Sequence, residues 1–167
     1  MTPRDKPRGQ ALVEFALVLP ILTLLLAGFW DLGRVVLAND ALSHASREAA
    51  RYAIVHGGSS LNPCPVGPAA DDAVVPTASA SCPHPSPSKE SIYAEARNNA
   101  DFAGLAVTVE VCYGAGCSGN TDAPGATNER GTPVTVTVSA TVNTGIVAMI
   151  GLTSFDVSSS STMLVNH

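Results

Sequence analysis

The chain has 167 residues, a formal net charge of −5 at pH 7 and a hydrophobic fraction of 46%. This length fits one compact domain together with a membrane anchor. The acidic balance disfavours binding to a phosphate backbone, which requires basic side chains that displace counterions, so we expect no nucleic-acid partner.

An apolar run in which Glu14 is the one charged residue begins at Ala11 and ends at Trp30. As a helix, this run reaches roughly 30 Å, which is about the thickness of the hydrocarbon core of a bilayer. Basic residues precede the run, and the ring pair Phe29 and Trp30 at its end suits a membrane interface. We expect a single pass through the membrane, with the N-terminus in the cytoplasm and the chain after Asp31 outside.

The residues before the run, 1–9, form a basic leader that ends in Gly9. The run is longer than that of an ordinary secretory signal, and no small-x-small cleavage site follows it. A cut between Gly9 and Gln10 would instead remove the leader and keep the helix as an anchor. The carboxylate of Glu14 then lies within the membrane segment, where ionisable residues are functional candidates.

The helical pattern continues beyond the membrane run to about His56. Apolar and small side chains recur at spacings of three and four and form one stripe, opposite a polar face. The stripe is Val35, Ala38, Leu42, Ala45, Ala49 and Tyr52, and the polar face carries Asp40, His44, Arg47 and Arg51. We predict one long helix over 10–56, with about 11–30 in the membrane and 31–56 as an outer stem. The stripe is either the face on which the domain packs or a contact with a second subunit.

Four cysteines, Cys64, Cys82, Cys112 and Cys117, follow the helix on the expected outer side. In an oxidising compartment an even count favours two disulfides, with three possible connectivities. Loop closure favours the two local pairs, of which Cys64–Cys82 would close part of the Pro-rich loop 57–87. The alternative is a zinc site that also uses His84, although neither cysteine spacing matches the common paired-cysteine motif. We expect no cofactor and no metal.

The last part of the chain, 88–167, is predicted to contain a second helix and a sheet. Helical spacing predicts a helix over about Ser88–Ala103. Alternation of apolar and polar residues then predicts three strands, which begin near Leu105, Val134 and Phe155. Successive strands form an antiparallel meander whose apolar face would cover the stem. The fold class is therefore α+β, with a long N-terminal transmembrane helix, a short helix and a three-stranded antiparallel sheet.

The connection Thr144–Leu152 is unusually apolar for a loop. It is either a short helix that fills the domain core or a surface that faces lipid or a partner subunit.

Residue patterns typical of catalysis were not found in the sequence. The segment Gly116–Gly119 lacks the spacing of a nucleophile elbow, and the four histidines are scattered along the chain. We therefore expect a protein without enzymatic activity.

The N-terminal residues resemble a known family. Gly9, four further residues, Glu14 and Phe15 and then an apolar helix resemble the processing site of type IV pilins, particularly the small Flp class. The string RGQALVEFALVLPILTLLLAGFWDLGR, together with ALSHASREAARYA at 41–53, resembles TadE-like proteins. These are minor pilin-like components of the tight-adherence (Flp pilus) machinery.

The resemblance implies a pilin-like fold and a structural role as a TadE-like minor pilin or pseudopilin in the bacterial cytoplasmic membrane. Such a protein would assist assembly of Flp-type pili or of a related tight-adherence secretion apparatus. The resemblance implies prepilin peptidase cleavage between Gly9 and Gln10 and an assembly role for Glu14 and Phe15. The implied partners are other pilin-like subunits, tight-adherence membrane components and the lipid bilayer. Two alternatives stay open, namely an uncleaved membrane-anchored binding module and a pseudopilin of the type II secretion class.

Overall fold

The computed structural model describes residues 8–58, 66–68, 88–100, 105–145, 148, 151 and 153–166. The helices are α1 (Arg8–Val55) and α2 (Glu90–Ala100), and the strands are β1 (Val107–Tyr113), β2 (Pro133–Asn143) and β3 (Ser154–Leu164). They follow one another in the order α1, α2, β1, β2, β3. The predicted α+β class with a long N-terminal helix is confirmed.

Helix α1 is continuous over its 48 residues, which corresponds to a length of about 70 Å. Pro20 lies inside it and removes one backbone donor. The hydroxyl of Thr23 donates to the carbonyl oxygens of Leu19 at 3.0 Å and of Pro20 at 2.9 Å. The polar group of Thr23 is therefore satisfied within the helix, as an apolar surrounding requires.

The two halves of α1 have different environments. The large apolar side chains from Leu12 to Trp30 are 43% to 74% exposed, on all sides of the helix. Small side chains of the outer half are almost completely buried, namely Ala38, Ala45, Ala49, Ala50 and Ala53. Within the part of the chain that the structure describes, α1 is the one helix that is long and apolar enough to cross a membrane.

The three strands form an antiparallel meander in the order β1-β2-β3. Every second side chain of the central strand is buried, as the period-two pattern predicts: Val134, Val136, Val138, Ala140 and Val142. Helix α1 packs against β2 and β3, whereas α2 packs against α1 and β1. The core of the domain therefore lies between the sheet and the small-residue face of α1.

Strand β3 contains the apolar residues Phe155, Val157 and Met163 of the third predicted strand. Its centre is a run of serines, and Ser159 pairs with Val138 in the sheet register. The hydroxyl oxygen of Ser159 lies 3.3 Å from that of Ser46 on α1, and Ser46 is buried. Small hydroxyl side chains allow the strand and the helix to approach closely, and they satisfy each other's hydrogen-bonding groups.

Helix α2 is shorter than the predicted Ser88–Ala103. Ser88 forms a bridge with Val66, and its carbonyl oxygen accepts a hydrogen bond from the N–H of Gly67 at 3.3 Å. This pairing keeps Ser88 extended, so the helix begins at Glu90. The predicted last residues of the helix, 101–103, lie outside the described residues.

Two predictions fall largely on residues that the structure does not describe. Cys64 and Cys82, with most of the Pro-rich loop, lie outside the described residues. So do Ile146, Val147 and most other apolar residues of the connection Thr144–Leu152. Both predictions therefore remain predictions.

We predict that Ala49→Leu destabilises the domain by about 1–3 kcal/mol, because Ala49 has no exposed surface and a larger side chain must displace the core residues around it. The same new side chain at an exposed position of the same helix, in Arg47→Leu, should change stability by less than about 0.5 kcal/mol. Thermal unfolding of the full-length protein in detergent measures both. Equal midpoints for the two variants would contradict the packing described above.

Candidate functional site

The predicted processing and assembly residues lie in the first turns of α1. Gly9, Gln10, Glu14 and Phe15 are all exposed. Residues 10 and 14 are separated by one turn, so they lie about 6 Å apart along the helix axis. Among the described residues Glu14 has no ion-pair or hydrogen-bond partner. Its carboxylate is therefore available to groups outside this chain.

Gly9 is a glycine that the fold does not require. A Cβ atom added at this position meets no atom within 4 Å. A glycine in a helix costs about 1 kcal/mol relative to alanine. Gly9 and Gln10 also belong to the first turn of α1, where the backbone N–H groups lack partners within the helix. The peptide bond between them lies in the turn that unwinds most readily.

Asp31 joins the base of the sheet to the helix. Its residue exposure is only 7%, and its Oδ1 atom accepts a hydrogen bond from the backbone N–H of Gly145 at 3.4 Å. Gly145 follows β2, so this contact fixes the lower end of the sheet where α1 leaves its fully exposed half. From the sequence, Asp31 marks only the end of the apolar run. No local pattern indicates the contact, because 114 residues separate its partners.

A second polar cluster is centred on Lys89. Its Nζ atom donates to the carbonyl oxygens of Val111 at 2.7 Å and Asn120 at 3.0 Å, and it lies 2.8 Å from Oδ1 of Asp122. The same Asp122 oxygen accepts the backbone N–H of Tyr113 at 2.7 Å. The Lys89 side chain is only 11% exposed. The lysine therefore ties the start of α2 to β1 and to the loop that follows β1, which is a structural role.

The hydroxyl of Tyr113 lies inside this part of the domain. Burial, together with the nearby negative charge of Asp122, raises the pKa of Tyr113 well above its usual range. Among the described residues the hydroxyl has no hydrogen-bond partner. Tyr113 therefore stays neutral at physiological pH and contributes its ring to the core.

Cys112 and Cys117 form a disulfide across the turn after β1, with their Cα atoms 5.8 Å apart. This is one of the two local pairs that loop closure favours in the sequence. The zinc alternative used these two cysteines as ligands, and a disulfide removes both thiolates. In the ranges that the structure describes, no group of three or more His, Cys, Asp or Glu side chains could hold a metal ion.

These observations define a class of protein: a small α+β domain whose core includes the outer half of an N-terminal helix, with the inner half as a candidate membrane span. Residues 9–51 match the family model described as TadE-like protein. The resemblance predicted from the sequence is thereby confirmed, and it supports a component associated with the Tad pilus. The match covers the apolar segment and most of the stem, and it ends before α2 and the sheet. No curated protein and no solved structure matches the chain significantly.

We predict that Lys89→Met destabilises the domain by about 2 kcal/mol, because it leaves Asp122 without its cation in a partly buried place. The exposed ion pair between Arg51 and Glu48 provides the control, and Arg51→Met should cost less than about 0.5 kcal/mol. Unfolding of the full-length protein, combined with the rate of proteolysis within residues 114–132, measures both effects. A Lys89→Met protein as stable as Arg51→Met would contradict the role assigned to the cluster.

Proposed function

We propose that this protein is a TadE-like minor pilin or pseudopilin, a non-enzymatic structural component that assists assembly of Flp-type pili or of a related tight-adherence secretion apparatus. The observation that carries the proposal is the division of α1. Its inner half exposes apolar side chains on every side and presents Glu14, which has no partner in the part of the chain that the structure describes, whereas its outer half is built into the domain core. The TadE-like match spans both halves.

In this proposal the leader faces the cytoplasm and the domain lies outside the bacterial cytoplasmic membrane. The basic residues Arg4, Lys6 and Arg8 before the apolar segment support this orientation, because positive charge is retained on the cytoplasmic side. The cysteines then lie in an oxidising compartment, in agreement with the disulfide between Cys112 and Cys117.

The shared helix explains how a subunit can leave the membrane as one body. Because α1 is part of the domain core, a force applied to the domain by tight-adherence membrane components acts directly on the membrane segment. The apolar side chains exposed along this segment require cover wherever it lies. Lipid provides that cover before assembly, and the helices of neighbouring pilin-like subunits provide it afterwards.

Glu14 supplies the contact that sets the position of one subunit against the next. A lone charge in hydrocarbon is unfavourable, and Glu14 has no partner among the described residues of its own chain. Cleavage before Gln10 creates an α-amine about one helical turn away from the level of Glu14. Pairing of this amine with Glu14 of a neighbouring subunit neutralises both charges and fixes the axial register, with Phe15 beside the contact.

Processing by a prepilin peptidase accounts for the glycine that the fold does not require. The open space around Gly9 excludes crowding within this chain as the reason for its small size. A narrow protease site that admits only a small residue at the cut would supply the reason.

An uncleaved membrane-anchored binding module is the second candidate. The observation in its favour is that Arg8, Gly9 and Gln10 already form the first turn of α1, so the helix needs no new N-terminus. A pseudopilin of the type II secretion class shares the proposed chemistry and differs in its partners. The intact mass of the membrane protein separates the first of these from the pilin proposal, because only a processed subunit lacks residues 1–9.

We predict that Gly9→Val leaves the leader attached, because a branched side chain no longer fits at the cut, while membrane anchoring is retained. Gly28→Val provides the matched control, since a Cβ at Gly28 also meets nothing within 4 Å, and this variant should lose its leader as the wild type does. Intact mass spectrometry of the purified membrane proteins gives the result. A processed mass for Gly9→Val would show that the assigned cleavage site is wrong.

We predict that Glu14→Leu keeps the protein in the membrane but lowers the number of fibres per cell by about tenfold or more, as expected when a contact of about 1.4 kcal/mol is lost. Thr23→Leu is the control, because it replaces another polar side chain of the same segment whose hydroxyl is already satisfied by its own helix. Fibres are counted by electron microscopy at matched protein levels. Equal counts for Glu14→Leu and the wild type would remove the carboxylate from the assembly mechanism.

A further inference from the structure

An apolar groove lies at the base of the domain, where the start of β3 meets α1. It has a volume of about 300 Å³ and is lined by Gly28, Asp31, Leu32, Val35 and Phe155. Leu32 is 59% exposed and Phe155 is 38% exposed. Large apolar side chains that stay exposed beside one another mark a surface that is covered by something other than water.

The level of this groove relative to a bilayer follows from the positions of the charged residues on the exposed surface of α1. Asp31 is the one acidic residue that lines it, and the domain covers Asp31 so that only 7% remains exposed. Without Asp31, the exposed surface of the helix carries no charge between Glu14 and Arg34. Residues 15–33 extend for about 28 Å as a helix, which agrees with a hydrocarbon core of about 30 Å. Lipid can therefore extend one turn above the lower end of the domain.

We propose that the base of the domain is embedded in the outer leaflet and that lipid fills the groove. This proposal rests on the membrane location in the proposed function and adds a second membrane contact, made by the domain. It places the span a few residues later than the predicted 11–30. The ring of Phe155 then lies at the boundary between headgroups and acyl chains, which aromatic side chains favour. Arg34, which is exposed, can extend to the headgroup phosphates.

The connection between β2 and β3 supports the same level for the bilayer surface. Its first residues lie beside Asp31, through the N–H of Gly145, and the N–H of Thr144 donates to the carbonyl oxygen of Thr153 at 3.1 Å. Both ends of the connection are thus fixed next to the groove. The sequence from Gly145 to Thr153 is GIVAMIGLT, which contains no charged residue. The ends of the connection that the structure describes, Gly145 and Thr153, therefore bring no charge to this level.

Lipid is favoured over a second copy of the chain because the groove is continuous with the membrane segment. Gly28 and Leu32, which form its wall on α1, lie within the charge-free surface of residues 15–33. Lipid that surrounds this segment reaches the groove before any other subunit is bound.

Quenching of tryptophan fluorescence by brominated lipids in nanodiscs tests the proposal. Trp30 is the single tryptophan of the chain and is 74% exposed, so the wild type reports on the span itself. In a Trp30→Phe background, Phe155→Trp reports on the groove, and Leu164→Trp, at the opposite end of the same strand and about 30 Å away, is the control. Leu32→Trp in the same background tests the groove from the helix, independently of any effect on the sheet.

We expect brominated lipid to reduce the emission of Phe155→Trp and Leu32→Trp by about half, as for Trp30 at the headgroup level, and to leave Leu164→Trp unchanged. The embedded base would be overturned if brominated lipid quenched Phe155→Trp and Leu32→Trp no more than Leu164→Trp. If Trp30 were quenched in the same experiment, the membrane span would stand. Blue-shifted emission from Phe155→Trp that depends on protein concentration and not on bromination would overturn it in favour of a second copy. An unquenched Trp30 would overturn the membrane span and the groove proposal together.

Discussion

The structure depends on one constraint: a single continuous helix must combine an apolar half that is exposed on every side, a candidate membrane span, with a half that forms the core of the domain. Along its inner half, α1 carries large apolar side chains on every side, which suits the hydrocarbon core of a bilayer. Along its outer half, the buried face is reduced to alanines such as Ala45 and Ala49, and the sheet approaches closely. Side-chain size changes along one helix without a break in the backbone. The continuous helix therefore connects the candidate membrane span rigidly to the domain.

The remaining contacts of the domain follow from the short distance between helix and sheet. An alanine face leaves little room, and β3 fills that room with serines, so that Ser46 and Ser159 bring their hydroxyl groups together. Burial of alanine and serine yields less hydrophobic stabilisation than burial of leucine or phenylalanine. Polar contacts and a disulfide compensate at both ends of the sheet. Asp31 holds the lower end, and Lys89 holds the opposite part, next to the disulfide-closed turn.

The elements with regular periodicity could be predicted from the sequence. The stripe from Val35 to Tyr52 indicated the face of α1 that the domain covers, and the alternation in Val134–Val142 indicated the buried face of β2. Contacts between distant residues left no such pattern. Asp31 and Lys89 each looked like an ordinary residue at an element boundary, and their burial results from partners elsewhere in the chain. The serines of β3 were also missed as inward-facing residues, because their role depends on the alanines of another element.

For the candidate site, the sequence indicated Gly9 and Glu14 through their position relative to the apolar run. The structure adds that, among the described residues, no atom crowds a Cβ at Gly9 and no group pairs with the carboxylate of Glu14. Their roles in the proposed function lie in contacts with a peptidase and with neighbouring subunits. Such contacts cannot be derived from the folding of one chain, since other molecules provide them.

The central claim is that the candidate membrane span and the stem are one rigid helix. A distance between a residue in the span and a residue in the stem tests this claim most directly. Spin labels at Leu17 and Arg47, both exposed and on opposite sides of the proposed surface, should give a single narrow distance distribution centred near 45 Å for the full-length protein in lipid nanodiscs. A broad distribution, or one centred at a clearly shorter distance, would show a hinge where α1 leaves the bilayer and would contradict the account.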